Sequence, residues 1–224
     1  MGMKHTMIFR HFNKIFTPFF ILSISAILAI MAISCGKEKK EEAVKKEPTV
    51  TIENLKTAYA KEMNRVKMYN LFVERARKDK MKQIEKLYLA IRRSEELHAQ
   101  RISELLANHG IQPPQPADEK ITVGTTLQTL KMALSMEEIE YGSMYPNLIR
   151  TADAEKYEDA LKQFSNIQDA DSKHGELLRY AISQNGKIPV VKYLVCPKCG
   201  YIVDIKNVQE CPTCKTKISE FEAF

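Results

Sequence analysis

Four carboxylates and two histidines stand where apolar residues are expected. Glu62 falls on the stripe Leu55, Tyr59, Val66, Tyr69, Val73, and Glu95 with His98 on Ile84, Leu87, Ile91, Ile102. Glu137 falls on Leu127, Leu130, Leu134, Tyr141, and Asp171 with His174 on Leu161, Phe164, Ile167, Leu178. The steady three-to-four spacing turns one carboxylate per segment inward, and each histidine shares the face of the carboxylate three residues before it. Buried carboxylates facing one another repel or take up protons. Two divalent or trivalent metal ions remove that conflict. One Glu from each of two helices plus carboxylate-x-x-His from two others is the ligand pattern of di-metal carboxylate bundles. Hard oxygens with imidazole suit iron or manganese.

A second constellation lies near the C-terminus. Cys196, Cys199, Cys211 and Cys214 form two C-P-x-C turns, CPKC and CPTC. Paired C-x-x-C turns make a four-thiolate tetrahedral site, with backbone N–H groups free to point at sulfur. Zinc and iron both suit four thiolates. Disulfides are the lesser alternative, because C-x-x-C pairs close very small loops. So small an ordered core is expected to depend on its metal.

The elements that must position the first set are helices. From 51 to 184 the 3.6-residue period dominates, in segments of about 52–79, 81–108, 123–150 and 153–184. The proline-rich IQPPQPADEKIT links the second to the third; the other links are short. Two helical hairpins joined by one crossover are the layout of ferritin-like bundles. An internal repeat supports this. L-K-x-A-x-x-x-E recurs at Leu55–Glu62 and Leu130–Glu137, 75 residues apart, and carboxylate-x-x-His recurs at 95/98 and 171/174, 76 apart. Any one of these glutamates alone reads as a surface charge, as Glu138 does; the set at matched spacing does not. The expected fold is mainly α, a four-helix bundle over 51–186 followed by a small β-rich metal domain over 187–224.

The N-terminus reads as an export signal. Lys4, Arg10 and Lys14 precede the uncharged IFTPFFILSISAILAIMAIS, then Cys35 and the polar GKEKKEEAVKKEP. Ala32-Ile33-Ser34-Cys35 resembles a bacterial lipobox, in which the cysteine is lipidated; an uncleaved anchor helix is the alternative. Residues 1–34 are thus the signal and 35–50 the lipidated cysteine and a charged linker. Either reading tethers the protein to a membrane outside the cytoplasm. The net charge of +6 falls to +3 once the three basic residues of 1–34 are removed, which gives no support for nucleic-acid binding.

With these motifs in order, the sequence resembles the rubrerythrins. The resemblance covers about 52–224 and rests on N-L-K-x-A-Y-A-K-E around Glu62, E-E-L-H around His98, E-E-I-E-Y-G-S-M-Y-P around Glu137, D-S-K-H around His174, and the two cysteine turns. It implies a ferritin-like di-iron bundle followed by a rubredoxin-like domain, and iron at the four cysteines, with zinc still possible. It implies two non-haem irons held by Glu62, Glu95, His98, Glu137, Glu140, Asp171 and His174. Glu140 and His98 are the catalytic pair, between which one iron shifts as the redox state changes. Tyr69 and Tyr145 match tyrosines that hydrogen-bond the ligand carboxylates. One departure is Asp171, where the family has glutamate. Aspartate is one methylene shorter, roughly 1.5 Å of reach, and could ligate one iron without bridging both.

The activity implied is reduction of hydrogen peroxide to water, fed by an electron donor whose identity the sequence does not give. A homodimer is implied, in which a partner's four-cysteine iron could serve each bundle. Two other readings stay open: a ferroxidase or iron-binding protein, and a non-catalytic metal-binding lipoprotein with a structural zinc ribbon.

Overall fold

The structure, a computed structural model, describes residues 47–117, 120–204 and 208–224. The export signal, Cys35 and most of the expected linker lie outside the described residues. Five α-helices are followed by a small sheet: α1 (Thr49–Lys78), α2 (Lys82–Ala107), α3 (Thr126–Ile139), α4 (Tyr145–Ala154) and α5 (Glu158–Ser183). Glu140–Met144 joins α3 to α4 as one turn of π-helix. No helix among the described residues is long and apolar enough to cross a membrane.

The third expected helix is therefore unbroken but not α-helical throughout. It carries a wide turn in which Tyr145 N–H reaches the Glu140 carbonyl five residues back. Pro146 sits in the first turn of α4, where its missing N–H leaves no bond unmade. In an unbroken α-helix its ring would press on the carbonyl four residues earlier. The helix then runs to Ala154, beyond the expected 150, and the turn after it passes through Lys156 in the left-handed region, φ 58°. α1 begins at Thr49, two residues inside the expected linker.

The ends of the helices are tied across the two hairpins in matching fashion. Asp79, at the end of α1, accepts from Thr126 N–H and Oγ1 at 3.0 and 2.7 Å, at the start of α3. Glu155, at the end of α4, accepts from Val50 and Thr51 N–H at 3.2 and 2.7 Å, at the start of α1. Each carboxylate satisfies donors that a helix start leaves open. α3 adds its own capping box, Thr125 with Gln128.

The described residues from 187 onward contain a thin sheet of three two-residue strands, β1 (Leu194–Val195), β2 (Ile202–Val203) and β3 (Glu222–Ala223), in the antiparallel order β2-β1-β3. It is not a separate body. Tyr193, Val195 and Ile202 are buried in the same apolar cluster as Tyr69, Phe72, Tyr88 and Leu130 of the bundle. Arg93 of α2 forks onto Glu222 at 2.8 and 2.7 Å, and Lys173 of α5 lies 3.0 Å from Asp204.

Candidate metal centre

The helices bring the expected ligands into one buried layer between two apolar clusters, one around Phe72 and Tyr88, the other around Leu55 and Phe164. Glu62, Glu95, His98, Glu137, Asp171 and His174 are each at most 3% exposed. Their ligand atoms fall into two sets, Glu62–Glu95–His98 and Glu95–Glu137–Asp171–His174, each within a 4.8 Å span. Glu95 serves both: Oε2 lies 3.1 Å from His98 Nδ1 and Oε1 lies 3.5 Å from His174 Nδ1. Asp171 Oδ1 is 3.7 Å from His174 Nδ1 and 3.8 Å from His98 Nδ1, so the shorter side chain still reaches the middle of the layer.

Tyr69 O–H donates to Glu137 Oε1 at 2.5 Å, and Tyr145 O–H donates to Glu62 Oε1. Each hairpin thus supplies a tyrosine to the other hairpin's glutamate, as outer partners that aim ligand oxygens do.

Glu140 is placed differently. It is 4% exposed, in the first position of the π-turn, and belongs to neither ligand set. Both its oxygens are taken by Arg65, with Nη2–Oε1 at 2.5 Å and Nε–Oε2 at 3.1 Å. Burial alone would lower the Arg65 pKa; the charge and hydrogen bonds of Glu140, with Glu137 and Tyr69 nearby, together outweigh it and raise the pKa.

The donor set fits a pair of cations. Glu95 Oε1, Glu137 Oε2, Asp171 Oδ1 and both His174 nitrogens are buried without a hydrogen-bond partner among the described residues. Such groups are costly unless something binds them. Protons carry part of that load. Burial, reinforced by Glu95, pushes Glu62 up to about 7, and burial with Glu95 and Glu137 pushes Asp171 far above the usual carboxylate range. Burial would lower both imidazoles, yet Glu62 and Glu95 raise His98 to about 10 and Glu137 with Glu95 raises His174 to about 9. Metal ions bound here would displace those protons.

The four cysteines converge as expected. Cys196–Cys214 and Cys199–Cys211 sulfurs are 3.5 Å apart, and all four sit within 4.8 Å of one another. Those separations are far beyond a disulfide and near the roughly 3.8 Å edges of a tetrahedral thiolate site. Each turn closes the same way, Gly200 N–H to Cys196 O at 2.9 Å and Lys215 N–H to Cys211 O at 3.1 Å.

The first turn rests on α2 of the same chain. Cys199 O is 3.2 Å from His98 Nε2, and Ser94 Oγ donates to Gly200 O at 2.7 Å. Gly200 permits the approach: its φ is +79°, and a Cβ there would stand 2.5 Å from His98 Nε2 and 2.6 Å from Ser94 Oγ. The bundle therefore meets the cysteine turn of its own chain.

Arg65, Ser94 and Gly200 were not among the residues expected from sequence. A signal for Arg65 exists: in the 75-residue register that pairs Glu62 with Glu137, Arg65 is the counterpart of Glu140. Ser94 and Gly200 carry none, because their roles arise only when the cysteine turn docks.

Comparison with known proteins agrees with this geometry. The rubrerythrin family profile matches residues 53–182. Nigerythrin of Nitratidesulfovibrio vulgaris is 30% identical over 78% of this chain and 86% of its own length, and rubrerythrin-2 of Clostridium acetobutylicum is 27% identical over 78% and 97%. The solved structure of nigerythrin in its fully reduced, all-ferrous state superposes with a TM-score of 0.73, covering 78% of this chain and 86% of that one.

Proposed function

This chain belongs to the rubrerythrin family, and on that premise we propose that it is a non-haem di-iron peroxidase. It reduces one hydrogen peroxide to two waters with two electrons and two protons. Glu62, Glu95, Glu137, Asp171, His98 and His174 would hold two irons, which would supply electrons and Lewis acidity for cleavage of the O–O bond. Tyr69 and Tyr145 fix the outer oxygens of Glu137 and Glu62, so those carboxylates cannot swing away. Glu140 is the reserve carboxylate, and Arg65 holds it.

One observation carries the redox part of this reading: Cys199 O lies 3.2 Å from His98 Nε2. A four-cysteine iron site is joined to a di-iron ligand by one backbone unit and one hydrogen bond. A ribbon kept only for structure has no need of that contact. The dimer implied by the resemblance is compatible with this arrangement, but each bundle draws electrons through its own cysteines.

The sequence of the N-terminal segment supports a membrane-tethered, extracytoplasmic protein lipidated at Cys35. NADH is not expected there, so the donor is a membrane-bound or extracytoplasmic electron carrier. The test of the activity is anaerobic. Chemically reduced, metal-loaded protein mixed with peroxide should consume about one equivalent for each bundle. Oxidation by air without peroxide consumption would favour the ferroxidase reading instead.

A further inference from the structure

Glu140 and Arg65 occupy equivalent places in the two hairpins, yet one is acidic and the other basic, and they bind each other. Both partners are largely buried, with side chains 12% and 6% exposed. Five carboxylates, Glu62, Glu95, Glu137, Glu140 and Asp171, crowd this layer. Two divalent cations neutralise four of those charges, and the Arg65 guanidinium neutralises the fifth. A buried fork contact occupies both oxygens of its carboxylate in fixed geometry. Glu140 can approach a metal only by giving up at least one of those bonds.

We propose that Arg65 is a positioning residue, an internal cation that competes with the metal for Glu140 and keeps it out of the coordination shell while both metals are divalent. The inference rests on the di-metal reading of the bundle. It explains why the ion pair lies beside the ligand sets and not on the surface. It also makes Arg65 the residue that sets how readily the site accepts a fifth carboxylate when its metal charge rises.

The test is manganese binding to the metal-stripped full chain, followed by the loss of the free Mn²⁺ resonance. Mn²⁺ suits oxygen and imidazole and is rejected by the thiolates. Wild-type protein should bind two. Arg65→Gln frees Glu140, and one of the two sites should tighten on the order of tenfold, the scale on which outer partners tune metal affinity. In a Glu140→Gln background the same Arg65→Gln change should do nothing. Tightening of equal size in both backgrounds would mean that Arg65 acts only as a distant charge, and no tightening in either would mean that it holds nothing back; both overturn the proposal. Arg65→Lys keeps the charge and loses the fork, so it should shift binding in the same direction by less, and it serves if circular dichroism shows Arg65→Gln to be unfolded. An unchanged affinity in Arg65→Lys would then overturn the proposal. Failure of the wild type to bind Mn²⁺ at all overturns the di-metal reading itself, and the proposal with it, before any variant is compared.

Discussion

The two hairpins of the bundle are copies that agree in most of their metal ligands and differ at a few positions in and around them. Thr51 and Thr126 accept matching caps, Glu62 and Glu137 match, Tyr69 and Tyr145 match, and His98 and His174 match. The disagreements are few: Glu95 against Asp171, Arg65 against Glu140, Ser94 against Ala170, and a histidine touching the cysteine turn against one whose ring nitrogens find no hydrogen-bond partner among the described residues. The shared features build a symmetric cage. The differences give it a side docked on the cysteine turn and a side with an extra carboxylate.

Glu95 and Asp171 offer the sharpest way to break the comparison. Glu95 contributes an oxygen to each ligand set, so Glu95→Ala should empty both bundle sites, whereas Asp171→Ala should retain the one built on Glu62, Glu95 and His98. Metal analysis after gel filtration reads this directly. If both variants kept equal metal, the asymmetry would have no consequence for binding. Tyr69→Phe and Tyr145→Phe test the opposite point. As equivalent partners, each should weaken metal binding by a similar factor, about 10–100-fold. A large difference between them in the same titration would break the symmetry claimed for the cage.

How much of this was legible in the sequence can be judged residue by residue. The inward carboxylates and histidines were legible because a helical stripe leaves no other reason for them, and the cysteine turns because their spacing is so specific. The π-turn was legible only in hindsight. Glu62 and Glu137 are 75 apart, whereas Tyr69 and Tyr145, like Glu95 and Asp171, are 76 apart. The register gains its one residue between Glu137 and Tyr145, where the wide turn lies. The docking of Gly200 on Ser94 was not legible at all, since it joins residues 106 apart through backbone atoms. The exact strands of the expected β-rich module were equally hidden, because two-residue strands show no alternation.

Gly200 sharpens the comparison on the side docked on the cysteine turn. Gly200→Ala forces a left-handed backbone on alanine, at about 1–3 kcal/mol, and drives a methyl into His98 and Ser94. Thermal stability should fall, and donor-supported turnover should fall more than the single round of peroxide consumption by pre-reduced protein. Equal losses in the two assays would contradict an entry route through this contact. Ser94→Ala should act the same way but weakly, removing one hydrogen bond of about 1 kcal/mol. Ala170→Ser, its counterpart, should leave both assays unchanged.

The smallest effect is in pH. In the metal-free protein Glu62, Asp171, His98 and His174 all have folded-state pKa values raised above their unfolded ones. Groups raised in this way favour the folded state at low pH and lose that contribution as pH rises toward the folded values, about 7 for Glu62 and about 9 and 10 for the histidines. Glu95, held below its usual range by His174 and His98 against burial, acts only in acid. Chelated protein should therefore have a lower Tm at pH 8 than at pH 6. Metal-loaded protein should show much less of that slope, since cations replace the protons. Scanning calorimetry of the two forms settles it, and a chelated protein more stable at pH 8 would refute the proton assignment.

The central claim is that a di-iron cage and a four-thiolate iron form one redox unit in this chain. Metal analysis with a visible spectrum of protein purified without oxygen tests it most directly. Two bundle irons and one thiolate iron per chain should be found, with the red absorption of ferric iron bound to sulfur. A colourless protein carrying a single zinc would contradict it.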